Sequence, residues 1–257
     1  MKKLVVMMAI LMAASAWTWA DEAAGADSQS TSMSAMSATE LTQQGDVLRA
    51  KHDYAEAMRY YQAALKKDAT NSNLYNKMGM TEWRRENLTA AAKNFDMSVK
   101  LNSKNADALN NIGALAYTTK NYGKAVKFYK KALALDESNA SYHCNLGTVW
   151  FDQKKYDRAM AEYSRAIELD PEVFLKSNQP GSVARVLNSE DRGAFEYTLA
   201  KAYAGRGDWD RAFHYLAKAK EDGYKNLKDV YKDAEFAKLR QDPRLAQIVP
   251  PPAAAGF

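Results

Sequence analysis

Residues 140–171, ASYHCNLGTVWFDQKKYDRAMAEYSRAIELDP, decide the fold because their landmarks recur upstream at a fixed spacing of 34 residues. Gly147, Ala159 and Tyr163 each have a counterpart at one, two and three such steps. The counterparts are Gly113, Gly79 and Gly45; Ala125, Ala91 and Ala57; and Tyr129, Phe95 and Tyr61. Self-similarity at a fixed period is the signature of a repeat architecture. The sequence therefore predicts a row of similar units rather than one globular core.

This pattern, a small residue in one helix followed by Ala-x-x-x-aromatic-x-x-Ala in the next, resembles the tetratricopeptide repeat. The resemblance implies two antiparallel helices per repeat, A and B, stacked as an all-α, right-handed solenoid. Gly147 would allow helix A to approach helix B, and Tyr163 would fill the space between them. Three asparagines precede successive A helices and are predicted to cap them through the side-chain oxygen: Asn71, Asn105 and Asn139.

Four uninterrupted repeats are predicted, at 38–71, 72–105, 106–139 and 140–173. The next comparable run begins at Ala212, which lies 53 rather than 34 residues beyond Ala159, so we predict an insert loop over 174–192. A fifth repeat follows at 193–226. A capping helical segment is predicted at 227–249, because the last repeat of a solenoid would otherwise leave an apolar face in water.

The regions outside the repeats have a different composition. Residues 21–37 are rich in Ser and Ala and are predicted to form a disordered linker, and 250–257 a disordered tail. Ser37 and Glu40 have the spacing of a capping box that opens the first helix. Residues 1–20 combine two lysines, an apolar run and Thr18-Trp19-Ala20, and are predicted to be a signal peptide. A membrane-anchored helix is the competing interpretation.

Export and charge limit the classes of function. The formal net charge is +5, and removal of Lys2 and Lys3 leaves +3, which is too little to favour nucleic acid as a partner. We expect a periplasmic or secreted protein with no integral membrane span after signal cleavage. Cys144 is the single cysteine, so no internal disulfide is expected.

The family resemblance implies that the A helices line a concave groove for an extended peptide or a partner helix. Five polar side chains are carried over to groove positions: Asn76, Lys77, Asn110, Asn111 and Asn145. A carboxamide both donates and accepts hydrogen bonds, so Asn111 and Asn145 suit contacts to a peptide backbone. Three aromatic residues share the twelfth position of successive repeats: Trp83, Tyr117 and Phe151. They either form an apolar strip in the groove or pack against neighbouring helices.

The leading functional interpretation is an exported interaction scaffold or adaptor that binds another protein. The alternative is a small-ligand receptor or an enzyme whose site is completed by the 174–192 insert. No catalytic, cofactor-binding or metal-binding residues are predicted, because no phosphate loop, nucleophile elbow or paired metal ligands are present in the sequence. Four lysines of the third B helix are predicted to form a solvated outer face rather than an anion site: Lys120, Lys124, Lys127 and Lys131. Self-association is left open.

Overall fold

The computed structural model describes residues 33–174 and 189–252. All regular structure in these residues is helical, and consecutive helices pack as pairs. The predicted all-α fold built from helix pairs is therefore confirmed. The helices belong to two compact units, which divide between Ser103 and Lys104. The predicted signal peptide, linker residues 21–32, insert residues 175–188 and tail residues 253–257 lie outside the described residues.

The described part of the first unit contains two helix pairs. They are α1 (Ala38–Ala50) with α2 (Tyr54–Lys67), and α3 (Ser72–Arg84) with α4 (Leu88–Leu101). The B helix α2 also packs against α3. Helix α1 begins at the predicted capping box. The Ser37 hydroxyl accepts from the Glu40 amide at 3.2 Å, and the Glu40 carboxylate accepts from the Ser37 amide at 2.7 Å.

The second unit contains three helix pairs and a C-terminal cap among its described residues. The pairs are α5 (Ala106–Thr118) with α6 (Tyr122–Leu133), α7 (Ala140–Asp152) with α8 (Tyr156–Leu169), and α9 (Ser189–Gly205) with α10 (Trp209–Glu221). Each B helix packs against the A helix that follows, α6 on α7 and α8 on α9. The predicted asparagine caps are confirmed in both units. The carboxamide oxygens of Asn71 and Asn105 each accept a backbone N–H at 3.1 Å, and that of Asn139 accepts two.

A ring from helix B lies directly on a glycine of helix A in each of the first four repeats. A Cβ on Gly147 would lie 2.5 Å from Cε1 of Tyr163, which is closer than side chains approach one another. The same pairing occurs at Gly45 and Tyr61, Gly79 and Phe95, and Gly113 and Tyr129. The predicted close approach of the two helices is confirmed. In the fifth repeat the glycine is replaced by the larger Ala200 and the aromatic ring by the smaller Leu216. Both side chains are buried, so the interior stays filled.

The turn from helix A to helix B has the same backbone in every repeat that the structure describes. One residue in each turn has φ between 58° and 79°, and these residues are His52, Glu86, Lys120, Lys154 and Gly207. The amide of the next residue donates to a carbonyl five positions earlier, as from Lys155 to Trp150 at 2.9 Å. This left-handed closure ends a helix and reverses the chain. Four of the five positions hold a residue other than glycine, at a conformational cost of about 1 kcal/mol each.

The described structure includes part of the segment that the sequence assigns to a disordered linker. Residues 33–35 form a helical turn, and Met33 is buried in a core that includes Leu41, Met58 and Tyr61. The prediction of disorder up to residue 37 is therefore wrong from Met33 onward. The composition of the segment is polar on average, but one apolar side chain at its end finds a place in the core.

The insert and the cap also differ from their predicted forms. Phe174, the first predicted insert residue, packs edge-on against Tyr163 with ring centroids 5.2 Å apart. Helix α9 starts at Ser189, inside the range predicted as a loop. The cap is helical but broken into the 3-10 segments Leu227–Tyr231 and Ala234–Gln241 and the short helix α11 (Pro243–Ile248). Its apolar side chains, Val230, Phe236, Leu239 and Leu245, are buried as a cap requires.

Candidate functional site

The asparagines predicted to line a groove are buried. The buried set comprises Asn76, Asn110, Asn111 and Asn145, and Asn145 is only 2% exposed. The Asn145 amide donates to the carboxamide oxygen of Asn110 at 2.9 Å, within the second unit. The prediction that these carboxamides are accessible to a partner backbone is therefore wrong for Asn145. Its hydrogen-bonding capacity is used to join α5 to α7.

The aromatic positions support the packing alternative. Tyr117 is 6% and Phe151 2% exposed, and the Tyr117 hydroxyl donates to Asp152 at 2.9 Å. Phe151 packs edge-on against Phe195, with centroids 5.5 Å apart. In the first unit, Trp83 is half-buried, with its ring edge-on to Phe95. An exposed strip of all three rings, one of the two predicted outcomes, is therefore wrong.

The charged side chains singled out in the sequence behave as surface groups. Lys77, in the first unit, is half-buried and forms an ion pair with Asp46. Lys120, Lys124, Lys127 and Lys131 are all exposed, which confirms the predicted solvated face. Lys124 and Lys131 place their ammonium groups 5.8 and 5.3 Å from the centre of the Phe128 ring.

The candidate site is a cavity of about 520 Å³ in the second unit. The fourth A–B turn contributes Lys154, and the start of α8 contributes Tyr156, Asp157 and Met160. The A helix α9 contributes Asp191, Ala194, Tyr197, Thr198 and Lys201. The segment after α10 closes the cavity with Tyr224, Lys225, Asn226, Asp229 and Asp233. The cavity therefore lies where the last repeat meets the cap.

Tyrosine rings form much of the cavity wall. The rings of Tyr197 and Tyr224 lie 4.7 Å apart, and Tyr197 also packs against Phe236 at 5.5 Å. Tyr156 is 41% exposed. The Tyr197 hydroxyl donates to Asp233 at 2.8 Å, and burial together with this carboxylate raises the pKa of Tyr197 well above its usual range. Tyr197 is thus fixed in position, whereas Tyr156 presents an open ring.

Ion pairs hold the other walls. The Lys154 ammonium donates to Asp191, which joins the fourth A–B turn to α9. Lys201 lies 3.2 Å from Asp233 and 3.5 Å from Glu235, which joins α9 to the cap. Both lysines line the cavity with a carboxylate already beside them.

Only some of the residues that line this cavity could be identified from the repeat pattern of the sequence. Tyr197 and Thr198 occupy the fifth and sixth positions of the predicted fifth repeat, the positions that Asn110 and Asn111 occupy in the third. Asp191 falls in the predicted insert, and the cap residues have no counterpart in the repeats. Tyr156 gave no signal of its own, because the repeat position that it shares with Tyr122, Leu88 and Tyr54 is not confined to the cavity.

The environments of Cys144 and of the buried His143 favour structural rather than chemical roles. Burial, and to a lesser extent the charge of Asp170, raises the pKa of the Cys144 thiol well above its usual range, which disfavours a reactive thiolate. His143 contacts the Glu162 carboxylate at 2.7 Å and the Glu137 carbonyl at 3.1 Å. Within the described residues, no three His, Cys, Asp or Glu side chains are grouped so as to hold a metal ion. None of the helices described there is long and apolar enough to traverse a bilayer.

A pair of carboxyl groups joins α9 to the end of α10, away from the cavity lining. Burial, followed by a hydrogen bond to Asp222, raises the pKa of Glu196 to about 7. Arg192 donates to Asp222 at 2.7 Å and holds the pKa of that carboxyl below its usual range. Below about pH 7 the Glu196 carboxyl therefore keeps its proton beside an ionised Asp222.

This pair predicts a pH-dependent stability. The folded pKa of Glu196 lies above its ordinary value of 4.5, so the folded state holds an extra proton and loses stability as the pH rises from about 4.5 to 7. Glu196→Gln keeps the donor to Asp222 without a titrating group. We expect Glu196→Gln to melt at a higher temperature than wild type at about pH 8, with the difference vanishing near about pH 4.5. Thermal melts across this range test it, and a difference that grows on acidification contradicts it.

The comparisons with known proteins address the fold. A sequence profile of the tetratricopeptide repeat matches residues 106–139 and 140–173, the boundaries predicted for the third and fourth repeats. Residues 106–173 therefore consist of two tetratricopeptide repeats. A comparison with curated proteins found no match.

Solved structures of other tetratricopeptide repeat proteins share this fold. PilF of Pseudomonas aeruginosa is 18% identical with a TM-score of 0.55, over 79% of this chain and 87% of that one. A thermophilic tetratricopeptide repeat protein of Thermus thermophilus is 18% identical with a TM-score of 0.50, over 76% and 97%. MamA of Desulfovibrio magneticus is 17% identical with a TM-score of 0.50, over 72% and 93%. At these identities the likeness is one of fold.

Proposed function

We propose that this tetratricopeptide repeat protein is an exported scaffold or adaptor that binds a segment of another protein, as an extended peptide or a helix. The binding site is the cavity at the fifth repeat. The observation that carries the proposal is the exposed Tyr156 ring at the edge of a cavity whose other walls are ordered by ion pairs. Exposed aromatic side chains beside a preformed cavity are typical anchors for a partner.

The size and position of the cavity fit a peptide. A volume of about 520 Å³ lies within the range of pockets that hold small ligands or a few side chains. Five of its lining residues, among them Tyr197, Thr198 and Lys201, belong to the A helix α9, which is the kind of helix that this family uses for peptide binding. The exposed Asn226 supplies a carboxamide group for a partner backbone.

The enzyme alternative has less support. Lys154 and Lys201 each form an ion pair with a carboxylate. The carboxyl pair with a raised pKa at Glu196 does not line the cavity. Tetratricopeptide repeat proteins are generally non-enzymatic scaffolds.

Export, the other part of the proposal, rests on residues 1–20, with the mature chain starting near Asp21. N-terminal sequencing of protein recovered from the cell envelope tests it. A chain that retains Met1 and fractionates with the cytosol contradicts it.

Site-directed photocrosslinking in the native host tests the binding site. A photoreactive amino acid at position 156 is expected to give an adduct with another protein, whereas the same group at position 127 is not. Lys127 is a matched control because it is exposed on a B helix of the same unit but lies outside the cavity lining. Adducts from position 127 alone contradict the proposed site, and adducts only with a second copy of the chain indicate self-association instead.

A further inference from the structure

The lining of the cavity at the fifth repeat carries an excess of negative charge. Four aspartates and three lysines line it. Lys154 is paired with Asp191, and Lys201 is shared between Asp233 and a further carboxylate, Glu235. Five carboxylates thus accompany three ammonium groups.

The negative charges of two of these carboxylates are little neutralised by ion pairs within the protein. Asp157, in the first turn of α8, forms no ion pair with any described residue. Asp229 contacts Lys232 at 3.2 Å, but that lysine side chain is 82% exposed, and an ion pair of this kind contributes little. Both carboxylates therefore retain most of their attraction for an incoming cation.

Tyrosine faces add to this attraction. Tyr156 is exposed, and Tyr224 is half-buried beside Tyr197. Aromatic faces attract ammonium and guanidinium groups, most strongly where water is partly excluded. Burial, followed by the charge of Asp229, raises the pKa of the Tyr224 hydroxyl.

Elsewhere in the second unit, an aromatic ring and two carboxylates already hold one of the protein's own cations, Arg244. The Arg244 guanidinium lies 4.3 Å from the centre of the Phe213 ring and forms ion pairs at 2.8 Å with both Asp210 and Asp242. A cation held by an aromatic face and two carboxylates is thus compatible with this fold. The cavity offers the same groups: Tyr156 and Tyr224 with Asp157 and Asp229.

We infer that the cavity recognises a basic side chain, Lys or Arg, in the partner segment, held by the tyrosine faces and by Asp157 and Asp229. This inference rests on the proposed function, because it specifies the chemistry of the segment bound there. A segment that enters with a carboxylate would meet the unfavourable charge balance, since Lys154 and Lys201 already have partners.

Selection from a random peptide library against the purified full chain tests the inference. We expect the selected peptides to share one Lys or Arg position, and replacement of that residue by glutamine to weaken binding by about tenfold or more. The double variant Asp157→Asn, Asp229→Asn should weaken binding of the same peptides by a similar factor in fluorescence anisotropy. Glu221→Gln is the matched control, because Glu221 is an exposed carboxylate of the same unit outside the cavity, and should leave binding unchanged.

The outcomes separate this inference from the proposed function. Peptides that carry an acidic or apolar residue at the shared position, and that lose binding on Tyr156→Ala, overturn the basic specificity but leave the peptide site in place. Peptides that are insensitive to Tyr156→Ala, or the failure of any peptide to be selected, overturn both. Asp157→Asn alone, at an exposed position, gives the same direction of change if the double variant proves unstable in a thermal melt.

Discussion

Gly113→Leu is expected to destabilise the second unit by about 3 kcal/mol or more. A Cβ at this position would lie 2.8 Å from both Cδ1 and Cε1 of Tyr129. The Tyr129 ring is fully buried, so it has no free space to move into, and a leucine adds further carbons beyond the Cβ. Denaturant unfolding followed by circular dichroism measures the change in the free energy of unfolding.

Gly123→Ala is the matched control for this glycine. Gly123 lies in α6, and a Cβ added to it would have no neighbouring side chain or backbone within 4 Å. Replacement by alanine should be neutral or should stabilise the protein by about 0.5 to 1 kcal/mol, because alanine favours the helix. Equal effects of the two substitutions would show that helix propensity, and not the contact with Tyr129, determines the choice of glycine.

Tyr117→Ala is expected to cost about 3 to 5 kcal/mol of stability. The ring is buried against its neighbours, with the Tyr122 ring centroid 5.9 Å away, and its removal leaves a cavity between α5 and α6. Thermal and denaturant melts of the purified variant measure the loss.

Tyr117→Phe separates the ring from its hydroxyl. This variant keeps the ring but loses the hydrogen bond to Asp152, so a cost of about 1 kcal/mol is expected. An unchanged melting temperature for Tyr117→Ala, together with weaker partner binding, would instead restore Tyr117 to an exposed binding surface.

Most of the repeat architecture could be predicted from the sequence because local signals and close contacts recur together. The glycine at position 147 and the ring at position 163 must both be present for the helices to meet, so their common spacing reveals the contact. Helix caps such as Asn105 can also be predicted from the sequence. A short polar side chain before a helix accepts a hydrogen bond from a backbone N–H only a few residues away. These features depend on neighbours that lie within one repeat.

The functional surface was less predictable. The repeat register identifies the residues of each A helix but not which of them the next helix covers. Asn145 and Tyr117 were therefore assigned to a groove, although packing of α5, α6 and α7 buries both. Exposure at a given register position depends on the side chains of the adjoining repeats, and these differ from one repeat to the next.

The sequence by itself determined the helix pairs, the contacts between glycine and ring, and the asparagine-capped helix starts of the second to fourth repeats, because each is specified by residues within one repeat. The tertiary structure decided the left-handed residues of the A–B turns, since Glu86, Lys120 and Lys154 have no local preference for a positive φ. It also decided the cavity, whose wall joins Lys154 to Asp191 and Tyr197 to Asp233. Residues this far apart in the chain come together only when α8, α9 and the cap pack against one another. The repeat pattern of the sequence carries no information about these contacts.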